Sequence, residues 1–295
     1  MSIRMPYTIK FFFSFIFLCG IFSNSSATDL KADSLFASGR YFDASIEYER
    51  LIFNAGTPAN RNYFRYKKAV CYKKMKRFDR ALEELQPLFF SNSNDSLYQR
   101  VCYEQSLCFY LNGEPKKALW KIDEYLHRST DTASYNCFMP VKILALNKDH
   151  QWKEAQECFL DYVEMQNFAP EKQTEMQQLV FNLYQKKNRP HIRSIDKAEN
   201  WSRFIPGSGQ IYAGRTGEGI ANFLLNASVL AFSAHQVYNG FYITGYLAGL
   251  GLFNKTYHGG IKRAGILSSR KNEELTETFN IKISETIRSN FELND

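Results

Sequence analysis

The chain has 295 residues, of which 44% are hydrophobic and 23% are charged, and a formal net charge of +7. This length allows about two domains, and the composition excludes a disordered chain, a collagen-like chain and a transporter with many membrane spans. The basic excess lies on both sides of residues 219–254, which contain no charged residue, and this distribution favours membrane headgroups over nucleic acid as the partner.

The first 27 residues have the three-part organisation of a secretory signal. The basic start, the apolar run and the small residues before the cleavage point are, in order, Arg4 and Lys10, residues 11–22, and Ser25-Ser26-Ala27. The apolar run is shorter than the roughly 20 residues of a membrane span, so we predict a cleaved signal peptide over residues 1–27. An uncleaved anchor and a lipoprotein attached through Cys19 are the alternatives. In each case the following domain is exported to the periplasmic side of the cell envelope.

Residues 28–188 contain an internal repeat with a period of 37 residues. Its clearest column is alanine, at Ala44, Ala81, Ala118 and Ala155. Apolar residues recur four and seven positions after each alanine, which gives one apolar stripe on a helix. Gly39 and Gly113 provide turns between paired helices in the first and third units. The pattern predicts an all-α array of about four antiparallel helix pairs, followed by a capping helix at residues 170–187.

Two of the second helices carry recognisable segments, GRYFDASIEYERL and KRFDRALEELQPL. These segments resemble the second-helix motif of the tetratricopeptide repeat family. The family period is about 34 residues, so the longer period here places extra residues in the inter-repeat loops. The fourth unit matches least well because Pro140 shortens its first helix. The resemblance implies a helical solenoid whose concave face is lined by first helices and binds a peptide or a helix.

By that family register, the concave face includes six aromatic or basic residues: Tyr63, Tyr66, Lys73, Arg100, Tyr103 and Tyr110. Flat rings with two cations suit a peptide that carries an acidic group or a free carboxylate. The alternative is a solvated face with some tyrosines packed between units. Residues 28–185 hold equal numbers of acidic and basic residues, so we do not expect nucleic acid to bind.

The five cysteines after the signal are widely spaced, with no CxxC: Cys71, Cys102, Cys108, Cys137 and Cys158. Zinc needs clustered ligands, so we predict buried free thiols, with a single disulfide as the alternative. No catalytic constellation stands out in the sequence. We therefore expect no enzymatic activity, cofactor, metal site or small-molecule substrate.

The uncharged residues 219–254 are interrupted by Asn239-Gly240, a strong turn signal. Two helices of about 16–18 residues joined there would be slightly short for a bilayer, and we predict a two-helix membrane hairpin. A buried hairpin in a soluble protein is the alternative. Asn222, Asn226 and His235 are expected to make interhelical hydrogen bonds, with a proton relay or metal binding as the alternative. Small residues four apart would let the two helices pack closely, namely Ala227 with Ala231 and Gly245 with Gly249.

A glycine-rich motif, P-G-x-G-Q-x-Y-x-G, precedes this hairpin. Its residues are Pro206, Gly207, Gly209, Gln210, Tyr212 and Gly214. The motif followed by a short hydrophobic pair resembles a family of small bacterial two-transmembrane-helix domains, which are often fused to other modules and have no assigned activity. We expect a tight turn at the membrane interface, with Tyr212 as an interfacial anchor.

The predicted organisation has five segments: a signal peptide (1–27), a tetratricopeptide-like array (28–188), a basic linker (189–204), the glycine-rich motif with a membrane hairpin (205–267), and a polar acidic tail (268–295). We expect an exported, membrane-anchored adaptor that binds a protein or peptide partner and contacts membrane lipid. One alternative is a component of an envelope transport or assembly system whose activity lies in the glycine-rich motif. Another is a soluble secreted binding module.

Overall fold

The computed structural model describes residues 27–90, 96–128 and 132–291. All regular secondary structure in these ranges is helical, which confirms the predicted all-α class. The predicted signal peptide lies outside the described residues, apart from its last position. The chain divides into two compact units, the first comprising Met1–Lys186 with Asn280–Asp295 and the second comprising Lys187–Phe279.

The first unit contains a run of helices, each of which packs against the next one along the chain. They are α1 (Ala27–Ala37), α2 (Tyr41–Asn54), α3 (Pro58–Lys74), α4 (Phe78–Leu85), α5 (Ser96–Leu111), α6 (Pro115–Arg128), α7 (Thr132–Lys148), α8 (Trp152–Met165) and α9 (Pro170–Leu183). Helix α5 also contacts α3 and α7. The odd-numbered helices α3, α5 and α7 therefore lie side by side, and we call this unit's helices α1 to α9 the array.

The alanines of the 37-residue register lie at the same place in α2, α4, α6 and α8, and all four are fully buried. The residues four positions later are also buried, namely Tyr48, Leu85, Ile122 and Phe159. So are the residues twelve positions before the alanines, namely Ala32, Ala69, Ser106 and Ile143. The burial predicted for Ala81 and Ala118 is confirmed. A methyl group at these crossings lets neighbouring helices approach at the packing density of a protein interior.

The turns between paired helices follow the same period. Gly39, Lys76, Gly113 and His150 have positive φ angles of 79°, 60°, 83° and 62°. In each turn the next N–H donates to the carbonyl five residues earlier at 2.9 Å, as from Arg77 to Tyr72. This is the hydrogen bond of a Schellman helix ending. The sequence analysis found only the two glycine turns, because a lysine and a histidine give no signal for a left-handed residue.

The cysteines between positions 71 and 158 are free, and all except Cys137 are buried. Burial raises the pKa of the Cys71 and Cys158 thiols to about 12. These groups are therefore protonated at neutral pH, which makes them poor nucleophiles. The expectation of buried free thiols is confirmed for four of the five, and the alternative of a disulfide is wrong for this structure.

The second unit begins with two short helices and continues into a helical hairpin. Its elements are α10 (Ile195–Phe204), α11 (Ser208–Tyr212), α12 (Thr216–Tyr238), α13 (Tyr242–Tyr246), a π-helical turn (Leu247–Leu252) and α14 (Phe253–Asn290), which leaves this unit after Phe279. The turn predicted at Asn239-Gly240 is confirmed, with Gly240 at φ 81°. Helix α12 has 23 residues, more than the 16–18 expected, and it begins at Thr216, before the uncharged stretch. The predicted second helix is divided between α13, the π-helical turn and the start of α14.

The segment predicted to be a basic linker, residues 189–204, contains helix α10, so that prediction is wrong for its second half. Ser194 caps this helix, because its side chain accepts a hydrogen bond from the Lys197 N–H at 3.2 Å. A serine with an acidic residue in the first turn is a helix-start signal. The basic charge of the segment obscured this signal.

The predicted polar acidic tail, residues 268–295, is helical up to Asn290, and the prediction of a tail is wrong for the described residues. Ile283 and Ile287 are fully buried in the first unit, and the Phe291 ring lies 4.9 Å from the ring of Tyr162. Apolar residues spaced by four along a helix share one face. The net acidic charge of the segment hid this stripe.

Candidate functional site

A pocket in the first unit brings together three of the six residues predicted to bind a partner. It has a volume of about 40 Å³ and is lined by Tyr66 of α3, Gln99, Arg100, Tyr103 and Glu104 of α5, and Cys137 and Phe138 of α7. The three helices are the neighbouring odd-numbered helices of the array. Because about 10–15 Å³ of such cavity space is enough to hold one water molecule, the pocket has room for a small group such as the end of one side chain or a chain terminus.

The two pocket tyrosines are neutral hydrogen-bonding groups. Burial raises the pKa of Tyr66, and it also raises the pKa of Tyr103, in both cases with a further contribution from the Glu104 carboxylate. Both phenols therefore keep their protons at physiological pH. The pocket thus combines two aromatic rings, two hydroxyl groups and the Arg100 guanidinium, which can donate several hydrogen bonds to a carboxylate or carbonyl oxygen.

Lys73 lies beside this pocket, but its ammonium group already forms an ion pair. Its Nζ donates to Glu104 Oε1 at 2.6 Å, and the two side chains are 11% and 10% exposed. A buried ion pair of this kind is costly to break, because the remaining charge is left without a partner. Glu104 Oε2 has no hydrogen-bond partner among the described residues. We therefore leave Lys73 out of the proposed site and treat it as the residue that holds Glu104.

Tyr110 and Tyr63 are not part of the pocket. Tyr110 is buried, and its hydroxyl accepts a hydrogen bond from Asn280 Nδ2 at 3.2 Å. Asn280 Nδ2 also donates to the Leu144 carbonyl at 3.0 Å. The end of α14 therefore already occupies this part of the array. Tyr63 is 39% exposed and packs edge-on against Phe64.

The glycine-rich motif of the second unit is a site of close backbone packing. A Cβ atom at Gly209 would lie 1.9 Å from the Ala198 carbonyl oxygen, and one at Gly207 would lie 2.0 Å from the Gly219 carbonyl oxygen. Gly207 also has a φ of 96°. Glycine is required at both positions, since any side chain would push α10 or α12 away from α11.

The polar residues of the motif make hydrogen bonds that hold these helices together. Gln210 is 1% exposed, and its Nε2 donates to the Gly260 carbonyl at 2.9 Å. Its Oε1 accepts from Ser202 Oγ, which in turn accepts from the Gly209 N–H. The Tyr212 hydroxyl accepts from the Ser194 N–H at 3.2 Å. The Tyr212 hydroxyl therefore contacts the residue that caps α10, and the side chain is half-buried. Its expected role as an interfacial anchor stays a prediction.

The hairpin helices pack through positions other than the predicted alanines. Ala227 and Ala231 are exposed. Instead, Gly249 lies against Ser233, whose hydroxyl donates to the Gly245 carbonyl at 2.6 Å. The expected interhelical hydrogen bond at Asn226 is confirmed, since its Oδ1 accepts from Thr256 Oγ1 at 2.9 Å. The inner face of α12 follows a different row of residues, spaced as on one helical stripe: Asn222, Asn226, Val229 and Ser233.

The outer face of the hairpin is apolar and exposed. The exposed large side chains include Phe223, Leu224, Leu225, Leu230, Phe232, Phe241, Tyr242, Ile243, Tyr246 and Leu247. Within the part of the chain that the structure describes, α12 alone is long and apolar enough to cross a membrane, and only 11% of its apolar window is buried. A contiguous exposed surface of this kind marks an interaction site.

Comparisons with known proteins return no matching family model, no matching curated protein and no matching solved structure.

Proposed function

We propose that the protein is an exported adaptor attached to a membrane, in which the array binds a protein or peptide partner and the second unit holds it at the bilayer. The observation that carries this proposal is the contrast between two surfaces. The array has a small aromatic and basic pocket, whereas the hairpin exposes a large apolar surface. The pocket suits a specific contact with a partner in water, and the apolar surface suits contact with lipid.

The tetratricopeptide-like solenoid is part of this proposal. Its support is the 37-residue recurrence of three independent features: buried alanines, buried residues at fixed offsets, and left-handed turns. A chain built from equivalent helix pairs buries its core by stacking them, which leaves one face of the odd-numbered helices for binding. The pocket lies on that face, on α3, α5 and α7.

The pocket indicates which part of a partner it would bind. Its volume admits one side-chain end or a chain terminus, and its donors are Arg100 and the hydroxyl groups of Tyr66 and Tyr103. These groups suit a carboxylate, presented by an acidic side chain or a free C-terminus. The side chains of Arg100, Tyr66 and Tyr103 line the pocket and are the proposed contacts for this group, whereas Lys73 lies outside the lining.

Membrane attachment is supported by the length, composition and exposure of α12. Export of the array would place residue 188 outside the cytoplasm, and two crossings would return Lys255 to the same side. Both basic flanks would then lie outside, against the positive-inside tendency, which weakens after a long translocated domain. We propose this topology, with Asn239-Gly240 on the cytoplasmic side.

Catalysis or transport in the glycine-rich motif is less well supported. Gln210, the motif residue with a side-chain amide, is buried, and its amide is hydrogen-bonded to Ser202 and Gly260. Gly207 and Gly209 lie in close contact with neighbouring helices. These contacts support a structural role for the motif.

The adaptor proposal is tested by photo-crosslinking in the cells that express the protein. A photoreactive benzoyl-phenylalanine replaces Tyr103 in one full-length variant and Phe53, which is 89% exposed, in the control. We expect a discrete crosslinked partner from position 103, no such species from position 53, and loss of the crosslink when Arg100→Ala is added. Identical crosslinks from both positions, or none from position 103, would contradict the proposed site. Release of the protein from membranes without detergent would instead favour a soluble module.

A further inference from the structure

Helix α10 exposes large apolar side chains outside the uncharged stretch. Phe204 is 86% exposed, Trp201 is 57% exposed and Ile205, the residue after the helix, is 56% exposed. In the same helix, Ala198 is fully buried and Ser202 is 1% exposed. This helix therefore has small residues inside and aromatic residues outside, the reverse of a surface helix in water.

The position of these side chains in the second unit is fixed by hydrogen bonds at the base of the hairpin. Tyr257 of α14 donates from its hydroxyl to the Arg203 carbonyl at 2.6 Å. The Trp201 ring lies 5.8 Å from the ring of Tyr212. Tyr257 comes two residues after Lys255, the first charged residue beyond the uncharged stretch. The exposed aromatic residues are thus held at the level where the apolar surface ends.

Basic residues surround the same level. Arg203 lies between Trp201 and Phe204, Arg215 precedes α12, and Lys255 lies near the start of α14, and all three are exposed. A further basic residue, Arg263, is paired with Glu218 at 3.0 Å across the hairpin base. Aromatic residues next to exposed cations match the boundary between acyl chains and anionic headgroups.

We propose that α10 and the following Ile205 form an interfacial segment that lies in the headgroup region of an anionic bilayer. Trp201, Phe204 and Ile205 enter the upper acyl region, and Arg203, Arg215 and Lys255 bind lipid phosphates. This inference rests on the proposed membrane attachment of the second unit, and it adds a lipid-binding surface to a segment that the sequence indicated to be a linker. The tight packing at Gly209 holds α10 at this level.

The test is depth-dependent fluorescence quenching by brominated lipids. The full-length chain has three tryptophans, so Trp120→Phe with Trp152→Phe leaves Trp201 as the only one. The control variant adds Trp201→Phe and Leu230→Trp, which places the fluorophore near the middle of α12. Both proteins are reconstituted in phosphatidylcholine vesicles with and without 30% phosphatidylglycerol, and the bromines are carried at acyl positions 6,7 or 11,12.

We expect Trp201 to be quenched about twofold more by shallow than by deep bromines, and Leu230→Trp to show the opposite order. Quenching of Trp201 should increase with phosphatidylglycerol and lose that increase in Arg203→Glu/Arg215→Glu/Lys255→Glu.

Several outcomes would overturn the inference. Quenching of Trp201 by aqueous iodide alone would show that the segment faces water. Protection of Trp201 from both iodide and bromine would show that a protein surface, such as a second copy of the chain, covers it. Equal quenching with and without phosphatidylglycerol would overturn the assignment to anionic headgroups. If lipid quenches Leu230→Trp but not Trp201, this inference fails while membrane attachment stands; if lipid quenches neither, both fail.

Discussion

The helices of the two units of this protein pack together through different side chains. In the first unit, large residues such as Tyr48, Phe138 and Phe159 are less than 2% exposed. In α12 of the second unit, the buried residues are Gly219, Asn226 and Val229, and the large apolar residues are exposed. The larger buried apolar residues of this unit lie on α14, at Ile261, Leu267 and Phe279. Both regions are helical and rich in apolar residues, so composition and secondary structure do not explain the difference.

The proposed membrane attachment of the second unit would explain this difference, because the helices of the two units would then pack in different solvents. In water, burial of apolar surface drives helices together, and a core of large side chains is the result. In lipid that driving force is absent between helices, and association depends on close packing of small residues and on interhelical hydrogen bonds. The second unit has both features, at Gly207 and Gly209 and at Gln210 and Asn226.

The largest effect should come from adding one methyl group at the glycine-rich motif. In Gly209→Ala the new Cβ meets a backbone carbonyl that cannot move without separating α10 from α11. We expect the second unit to be destabilised by more than about 3 kcal/mol, measured as thermal unfolding in a fixed detergent. Gly217→Ala is the control, since nothing lies within 4 Å of its added Cβ. Equal stability of the two variants would show that small-residue packing does not hold this unit together.

A smaller loss should follow from truncating the buried stripe near the C-terminus. Ile287 is fully buried in the first unit. Ile287→Ala should therefore lower the stability of that unit by about 3 kcal/mol through a cavity, as measured by calorimetry. Glu285→Ala, at an exposed position two residues earlier, should change stability little. If both variants melt like the wild type, residues 280–291 do not contribute to the core of the array.

Overpacking at the repeated alanines should lower the free energy of unfolding somewhat less than the two preceding changes. Ala118 is fully buried in α6, and Ala118→Leu should destabilise the array by about 1–3 kcal/mol. Ala81→Leu, at the equivalent position of α4, should behave alike. The control is Lys116→Leu, which adds the same side chain at an exposed position. Chemical denaturation would compare the three, and unchanged stability of both alanine variants would contradict the 37-residue register.

A feature of the fold or of the candidate site could be predicted from the sequence where its pattern repeats along the chain. The alanine column repeats four times, so it fixed the helix pairs and their buried positions. The pairing of Lys73 with Glu104 depends on how α3 lies against α5, and no local pattern encodes it. The stripe of Ile283, Ile287 and Phe291 is periodic, but it is only about two turns long within a charged segment. Helix α10 was missed because the basic charge of its segment obscured the cap signal at Ser194.

The smallest effect concerns the turns that share the register. Lys76 and His150 adopt the left-handed conformation that glycine provides at positions 39 and 113. Because this conformation costs a residue with a Cβ about 1 kcal/mol, Lys76→Gly and His150→Gly should each stabilise the array by nearly that amount. Gly113→Ala should have the opposite sign, since it has open space but the same φ. Denaturant midpoints would measure all three, and destabilisation by both glycine substitutions would show that the side chains matter more than the backbone.

The contrast between the units is tested most directly by labelling the unmodified protein in bilayers with a carbene precursor that is confined to lipid. The array offers exposed apolar side chains as an internal control, with Phe53 at 89% and Phe89 at 81% exposure, against Ile243 at 79% in the hairpin. We expect residue-level mass spectrometry to find the label on residues 216–254, with none on Phe53 or Phe89. Labelling of the array at a comparable level, or an unlabelled hairpin, would contradict the account.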